Sequence, residues 1–517
     1  MPIKTMLGAA CSLAALAFAT PALAGPCEDL ARIQLDGGRV TAAEVVSAGS
    51  FTAPRGAGAP PGVAASPFGD VPAFCRVQMT LTPTSDSDIK SEVWLPLDGW
   101  NGKYVGVGNG IWAGSLSYAE LGRNVARNYA TAATDTGHVG NGLTAEWAVG
   151  HPEKLVDFGH RAVHVTTVAA KAVTRAFYGR APSLSLWNSC STGGRQGLMA
   201  AYRYPDDFDA ISAMAPANPM TDLMTQSMWQ GWQPQRFGAQ ITPQVLGAVR
   251  AEVLRQCDAV DGLADGLVGN PLRCTVDITR TPGLTPEQVQ AVGNIYGGVR
   301  DNAGNVLLPG WPYGSEMQLA MLVMGQEPFP VAMSYFRDLA YAGRTDWNWR
   351  TTDYAEYTRV GREFGADILN VPHDGLGAFF ARGGKLLLSH GWSDGLIPAT
   401  NTIGFHYNLF NALPAAQRDA QLRLFMAPGM DHCSGGDGPS EFDTLGTIDA
   451  WATTGIAPER LIATRPTMAP VFPGQPPQPP RAPMSRPLCA WPAEAVYTGS
   501  GDQNVAASFT CRVPGRS

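Results

Sequence analysis

Charge is scarce in this chain. Only 16% of its 517 residues are Asp, Glu, Lys or Arg, the formal balance is -7, and the basic side chains are scattered rather than grouped into a stripe. The electrostatic footprint of a nucleic-acid binder is therefore missing. Beyond the amino-terminal residues no apolar run is as long as a bilayer requires, so neither a nucleic-acid nor a membrane partner is expected. No internal repeat is visible. Apolar content is ordinary at 45%, enough for one large core plus an inserted or appended subdomain rather than a disordered chain.

The amino terminus reads as an export signal: Lys4 gives the positive end, Leu7 to Phe18 the apolar stretch, and Ala22-Leu23-Ala24 a small-residue cleavage site. Residues 1–24 are taken as this signal, the mature chain starting at about Gly25, with a secreted or periplasmic location. A lipoprotein reading of Cys11 is set aside, because the apolar run continues past it and Gly8 stands where a lipobox wants a larger aliphatic residue. Loss of the signal leaves Cys27, Cys75, Cys190, Cys257, Cys274, Cys433, Cys489 and Cys511. An even set in an exported chain argues for disulfides throughout. Connectivity does not follow from sequence alone, but locality favours Cys27 with Cys75, Cys257 with Cys274 and Cys489 with Cys511, leaving Cys190 and Cys433 to each other.

After a segment closed by Cys75, Lys90 to Leu97 alternates as a strand, and Lys103 to Val107 is a short β-rich run ending in the turn Gly108-Asn109-Gly110. Tyr129 to Ala133 ends at Thr134-Asp135-Thr136-Gly137-His138, and a helical spacing of apolar residues runs from about Phe158 through Arg175. Leu184 to Trp187 is another apolar strand, and Gly194 to Tyr202 reads as helix. Such alternation implies a parallel sheet with crossover helices. From about Pro219 to Val371 the rhythm lapses and aromatics crowd in, among them Trp229, Trp232, Trp311, Tyr313, Trp347 and Trp349; residues 219–371 are read as an inserted lid. The rhythm resumes at Lys385 to Ser389 and at Leu422 to Met426. Pro466 to Pro487 reads as a stiff linker, and Cys489 with Cys511 closes a small terminal loop or hairpin.

A serine hydroxyl is a poor nucleophile unless a base takes its proton, so it must be presented on a sharp strand-to-helix turn beside a histidine. Trp187-Asn188-Ser189-Cys190-Ser191-Thr192-Gly193-Gly194 fits, although Ser189 stands where the usual signature has glycine. The literal Gly-x-Ser-x-Gly pattern at Gly391-Trp392-Ser393-Asp394-Gly395 is rejected as the nucleophile site, because Pro398 closes a turn where a helix should start. Asp394 makes better sense there as the acid that orients the histidine. His432 lies in the glycine-bearing loop after Leu422 to Met426, and the order Ser191, Asp394, His432 is that of an α/β-hydrolase. The predicted fold is thus α/β, a hydrolase core of residues 25–218 and 372–517 with a large inserted lid domain. If Ser191 and His432 are in hydrogen-bond reach, a Cys190–Cys433 disulfide is geometrically reasonable and would clamp the base loop to the nucleophile turn.

The combination of Cys-Ser-Thr-Gly-Gly-Arg-Gln-Gly (Cys190 to Gly197), Ser-His-Gly-Trp-Ser-Asp-Gly-Leu-Ile-Pro (Ser389 to Pro398) and Asp-His-Cys (Asp431 to Cys433) resembles the tannase and feruloyl esterase family. The resemblance implies a triad of Ser191, Asp394 and His432, an oxyanion hole from the backbone N–H groups of Thr192 and Gly110, and supporting roles for His138 and Arg195. It also implies calcium in the loop Cys257 to Leu267, on the side chains of Asp258, Asp261 and Asp265 and the backbone oxygens of Leu263 and Leu267. Hard oxygen donors with turn-forming glycines suit that ion; the competing reading is a solvated acidic turn. Calcium would hold the lid, and no redox cofactor is called for. The implied substrates are small aromatic esters, free or attached to polysaccharide: hydroxycinnamates such as feruloyl sugars first, galloyl esters next. Mono(2-hydroxyethyl) terephthalate, also a substrate within the family, would want a lid arginine, for which Arg337, Arg344, Arg350 and Arg359 are available.

Two other classes stay open at this level. A disulfide oxidoreductase would use Cys190 and Cys433, but such enzymes favour closely spaced cysteines. A silent, calcium-stabilised binding module would share the scaffold, and a chromogenic short-chain ester separates it from an enzyme.

Overall fold

The computed structural model describes residues 26–54, 68–467 and 480–514; residues 1–24, read as an export signal, lie outside the described residues. Ten strands form one twisted sheet: β1 (Gln34–Leu35), β2 (Gly38–Val46), β3 (Phe74–Leu81), β4 (Ile89–Pro96), β5 (Lys103–Gly106), β6 (Ala130–Thr134), β7 (Leu184–Cys190), β8 (Ala210–Met214) and, after an insertion holding the hairpin β9 (Val299–Arg300) and β10 (Val306–Leu308), β11 (Lys385–Gly391) and β12 (Leu422–Ala427). Their order is β1-β2-β3-β4-β6-β5-β7-β8-β11-β12, antiparallel up to the β4–β6 pair and parallel from β6 onward. The strands read as Lys90 to Leu97 and Lys103 to Val107 are therefore not neighbours: β6 lies between them.

The parallel half is buried on both faces, which is why β11 and β12 read as near-continuous apolar runs. Alternate side chains divide between two cores. Leu386, Leu388 and Leu424 pack with Val173, Leu198, Phe379 and Leu409 from helices on one face. Leu387 and Phe425 pack with Leu121, Val125, Ile448 and Trp451 from the other. Each fully buried leucine contributes roughly 1.5–3 kcal/mol.

The helix expected from about Phe158 starts earlier, at Pro152–Val156, passes through a wide π turn at Asp157–Arg161, continues as Ala162–Tyr178 and stops at Gly179, whose left-handed φ of 70° ends the helix. Between β8 and β11 the chain is mainly helical, with Met220–Phe237, Pro243–Cys257, Pro286–Gly297, Glu316–Val323 and Tyr354–Leu369 built around two apolar clusters. Among the described residues no helix is long and apolar enough to cross a membrane.

Of the stretch read as a linker, residues 468–479 lie outside the described residues. Its end is not extended spacer but β14 (Ser485–Cys489), paired antiparallel with β13 (Arg460–Thr464). Pro487 is tolerated because this ladder has only two strands. The terminal hairpin is β15 (Glu494–Tyr497) with β16 (Phe509–Arg512). The eight cysteines among the described residues pair as Cys27–Cys75, Cys190–Cys433, Cys257–Cys274 and Cys489–Cys511.

Candidate active site

Ser191 occupies the single residue between β7 and the helix Thr192–Arg203, with φ 64° and ψ -128°. A non-glycine residue holds such a conformation only when its surroundings over-determine it. Here Met214 O accepts the Ser191 N–H at 2.9 Å, Ala217 N–H donates to Ser191 O at 3.1 Å, and Gly193 N–H donates to Asn109 O at 2.8 Å. Gly193 must lack a side chain, since a Cβ there would sit 2.0 Å from Ser189 Oγ. Ser189, in place of the usual glycine, puts its hydroxyl to use by accepting Gly108 N–H at 3.2 Å. Gln196 exchanges two hydrogen bonds of 3.0 Å with Asn109, and Thr192 Oγ1 donates to Ile111 O at 2.7 Å. The Gly108 to Ile111 turn is thus stitched to the nucleophile turn along its length.

Asp394 follows β11 and is completely buried. Its Oδ1 accepts the N–H groups of Leu396 and Ile397 at 2.9 and 2.8 Å, and its Oδ2 accepts His432 Nδ1 at 2.7 Å. The same Oδ2 accepts a second imidazole, His390 Nε2, at 3.0 Å; His390 Nδ1 lies 2.8 Å from Thr402 Oγ1. Burial pushes the Asp394 carboxyl up, but the facing His432 and His390 more than reverse this and hold it well below the usual carboxylate range. Gln318, from the helical insertion, accepts Gly395 N–H at 2.9 Å and His432 N–H at 3.0 Å through one oxygen.

Ser191, His432, Thr192, Gly110 and the Cys190–Cys433 disulfide line one cavity of ≈ 470 Å³. A ring nitrogen of His432 lies within 4.8 Å of both sulfurs, which bond each other and so are not a metal site. Among the described residues no hydrogen bond uses Ser191 Oγ, Thr192 N–H or Gly110 N–H, so hydroxyl and amides are free for a ligand. Ser393 does not reach this cavity, and Gly391 has a packing role: a Cβ there would lie 2.1 Å from Met430 O on the base loop.

In the acidic loop, Asp258 Oδ1 accepts Asp265 and Gly266 N–H at 3.0 and 3.1 Å, Asp261 Oδ1 accepts Leu263 N–H at 3.0 Å, and Asp265 pairs with buried Arg486 at 2.5 Å. The three carboxylates do not all converge within 4.8 Å. Burial, then Asp265 and Asp258, push the Asp261 carboxyl up to about 6. Among the described residues no hydrogen bond takes Asp261 Oδ2 or the carbonyl oxygens of Leu263 and Leu267. This set of hard oxygens around crowded carboxylates fits calcium in its donor chemistry.

None of the four lid arginines lines the Ser191 cavity. Arg337 pairs with Asp338 and Glu146, Arg344 with Asp346 and Glu356, Arg359 with Glu363, and Arg350 stacks on Trp349 with its guanidinium 3.9 Å from the ring centroid. His138 stacks on Trp147 at 3.7 Å, and burial lowers it to about 4. Arg195 is buried with no carboxylate partner among the described residues, donating to Gly159 O at 3.0 Å and Leu369 O at 3.4 Å, which ties the nucleophile helix to the π turn and the insertion. His390, Gln318, Asn109 and Gln196 were given no role from sequence; His390, Asn109 and Gln196 stand inside quoted motifs, whereas Gln318 has no such mark.

A strained serine turn and a carboxylate-bound histidine on one cavity, past the carboxyl ends of parallel strands, define an esterase of the α/β-hydrolase type. The profile described as tannase and feruloyl esterase matches residues 75–333 and 345–512. An uncharacterized esterase of Xanthomonas campestris pv. campestris is 32% identical, covering 98% of this chain and 95% of that protein. A probable feruloyl esterase B-1 of Aspergillus flavus is 30% identical over 84% of this chain and 86% of its own length. The crystal structure of feruloyl esterase B from Aspergillus oryzae superimposes with a TM-score of 0.81 at 26% identity, over 94% of this chain and 99% of that one. The chain belongs to the tannase and feruloyl esterase family.

Proposed function

We propose that the protein is a secreted or periplasmic serine esterase that hydrolyses hydroxycinnamate esters, feruloyl esters foremost, with Ser191, His432 and Asp394 as its triad. The observation that carries this is the 2.7 Å bond from His432 Nδ1 to Asp394 in a cavity that also holds the strained Ser191. His432 Nε2 takes the Ser191 proton as Oγ attacks the ester carbonyl, while Asp394 fixes the tautomer and stabilises the imidazolium. Thr192 and Gly110 amides meet the developing oxyanion, at about 3 kcal/mol per donor. His432 then protonates the leaving alcohol, a water attacks the acyl-enzyme with His432 as base, and the acid departs.

Similarity to the probable feruloyl esterase B-1 of Aspergillus flavus and to feruloyl esterase B of Aspergillus oryzae supports the feruloyl reading, and the unused Thr192 and Gly110 amides support the oxyanion assignment. Calcium, held by Asp258, Asp261, Asp265 and the Leu263 and Leu267 carbonyls, would supply a structural cross-link in the insertion and no chemistry at the ester. Methyl ferulate hydrolysis by the purified chain, abolished in Ser191→Ala, tests the assignment; full activity in that variant would overturn it.

A further inference from the structure

The polar groups on the cavity wall are nearly all spent on the protein itself. Asn109 Nδ2 donates to Ser115 O at 2.9 Å and Thr134 O at 2.7 Å, Ser117 Oγ to Gly108 O at 2.6 Å, and Thr192 Oγ1 to Ile111 O. Ser189 accepts Gly108 N–H, and Glu120 is paired with Arg123. Apart from the reacting Ser191 and His432, and from Ser189 beside the nucleophile, whose hydroxyl accepts Gly108 N–H without donating among the described residues, that leaves Ser227 as the hydroxyl remote from the nucleophile: it lines the cavity and has no hydrogen-bond partner among the described residues.

Ser227 stands at a defined place. Met220, Leu223, Met224 and Ser227 line the cavity at spacings of three, four and seven along the helix Met220–Phe237, so they form one stripe on its surface. The stripe starts beside the nucleophile, because Ala217 N–H is bonded to Ser191 O. Seven residues on, Ser227 lies about 10 Å farther along the helix, with Met and Leu side chains in between. Methionine adapts to varied apolar shapes; it offers nothing to a hydroxyl or a carboxylate.

Resting on the esterase reading above, we propose that Ser227 sets acyl specificity: the cavity accepts an uncharged, largely apolar acyl group carrying one hydrogen-bonding substituent remote from the ester, as in a monohydroxylated cinnamoyl group. Trihydroxybenzoyl groups bring more hydroxyls than the wall can pair, and each buried hydroxyl left unpaired is penalised. A carboxylate-bearing acyl group meets no cation, since the lid arginines lie outside the cavity.

The test is kcat/KM of the full chain on methyl 4-hydroxycinnamate, methyl cinnamate, methyl gallate, mono(2-hydroxyethyl) terephthalate and 4-nitrophenyl acetate. The 4-hydroxycinnamate should exceed gallate by about a hundredfold, two unpaired hydroxyls at about tenfold each, and the terephthalate monoester by about as much, its one carboxylate being a charge buried without a partner. In Ser227→Ala the ratio of 4-hydroxycinnamate to cinnamate should fall about tenfold, and Ser227→Thr, which keeps the hydroxyl, should restore it. A ratio unmoved in Ser227→Ala, or gallate or terephthalate within threefold of the hydroxycinnamate, overturns the inference while acetate turnover leaves the esterase reading standing. No acetate turnover removes both.

Discussion

His390 and His432 meet at a single atom: both imidazoles bond Asp394 Oδ2, at 3.0 and 2.7 Å. With Oδ1 occupied by two backbone N–H groups, the carboxylate has every direction fixed, and His432 inherits that fixity. Asp394→Asn should lower kcat by on the order of 10⁴ through the wrong imidazole tautomer. His390→Ala removes one of the four donors and should lower kcat by about tenfold, with KM for methyl ferulate little changed. Steady-state kinetics at pH 7 check both, and a His390→Ala variant as active as the parent would show that the second imidazole is idle.

The Cys190–Cys433 bridge joins segments 243 residues apart and borders both Ser191 and His432. Cross-linking so long a loop removes much unfolded-chain entropy, on the order of 3–5 kcal/mol in the chain-entropy picture. A Cys190→Ala, Cys433→Ala double variant should melt lower and lose more activity than stability at temperatures where it remains folded. Calorimetry beside methyl ferulate kinetics makes the comparison; equal activity of the folded double variant would deny the bridge any part in aligning the base.

Asp431 gives a pH signature. Burial, then the charges of Asp437 and Asp394, push its carboxyl up to about 7, above the ordinary value near 3.9. The folded chain therefore holds a proton that the unfolded chain has released, and stability falls as pH rises from about 4 to 7. Asp431→Asn should flatten this fall, up to about 4 kcal/mol, in urea titrations across that range. An unchanged slope would assign the pH dependence elsewhere.

Chelation should lower the melting temperature by several degrees and leave the chemistry of the folded protein intact. Without the proposed ion, Asp258, Asp261 and Asp265 repel one another, with Arg486 paired to Asp265 alone. Asp261→Asn should melt lower in calcium and lose its response to chelator. Identical melting with and without chelator in the parent chain would remove the ion from the loop.

Much of the parallel half was legible because strands buried on both faces are largely apolar, as β11 and β12 are; β8 (Ala210–Met214), short and rich in small residues, was not read. Strands β1 to β3 were not, since β2 mixes half-buried and exposed residues and its partners are set by tertiary pairing. The placement of β6 between β4 and β5 likewise has no local mark. At the site, Ser191, Asp394 and His432 could be picked out because each follows a recognisable strand. Gln318 could not: its partners Gly395 and His432 lie 77 and 114 residues away, and nothing around a helical glutamine announces such a contact.

That glutamine changes what the insertion is. By gripping the acid turn and the base loop with one amide oxygen, the helix Glu316–Val323 acts as a keystone over the two segments rather than as a detachable cover. A shortened chain with residues 219–371 replaced by a tight linker would then be no stripped-down, wide-open catalyst; its histidine would swing loose, and the surviving sheet would be silent toward even the smallest ester.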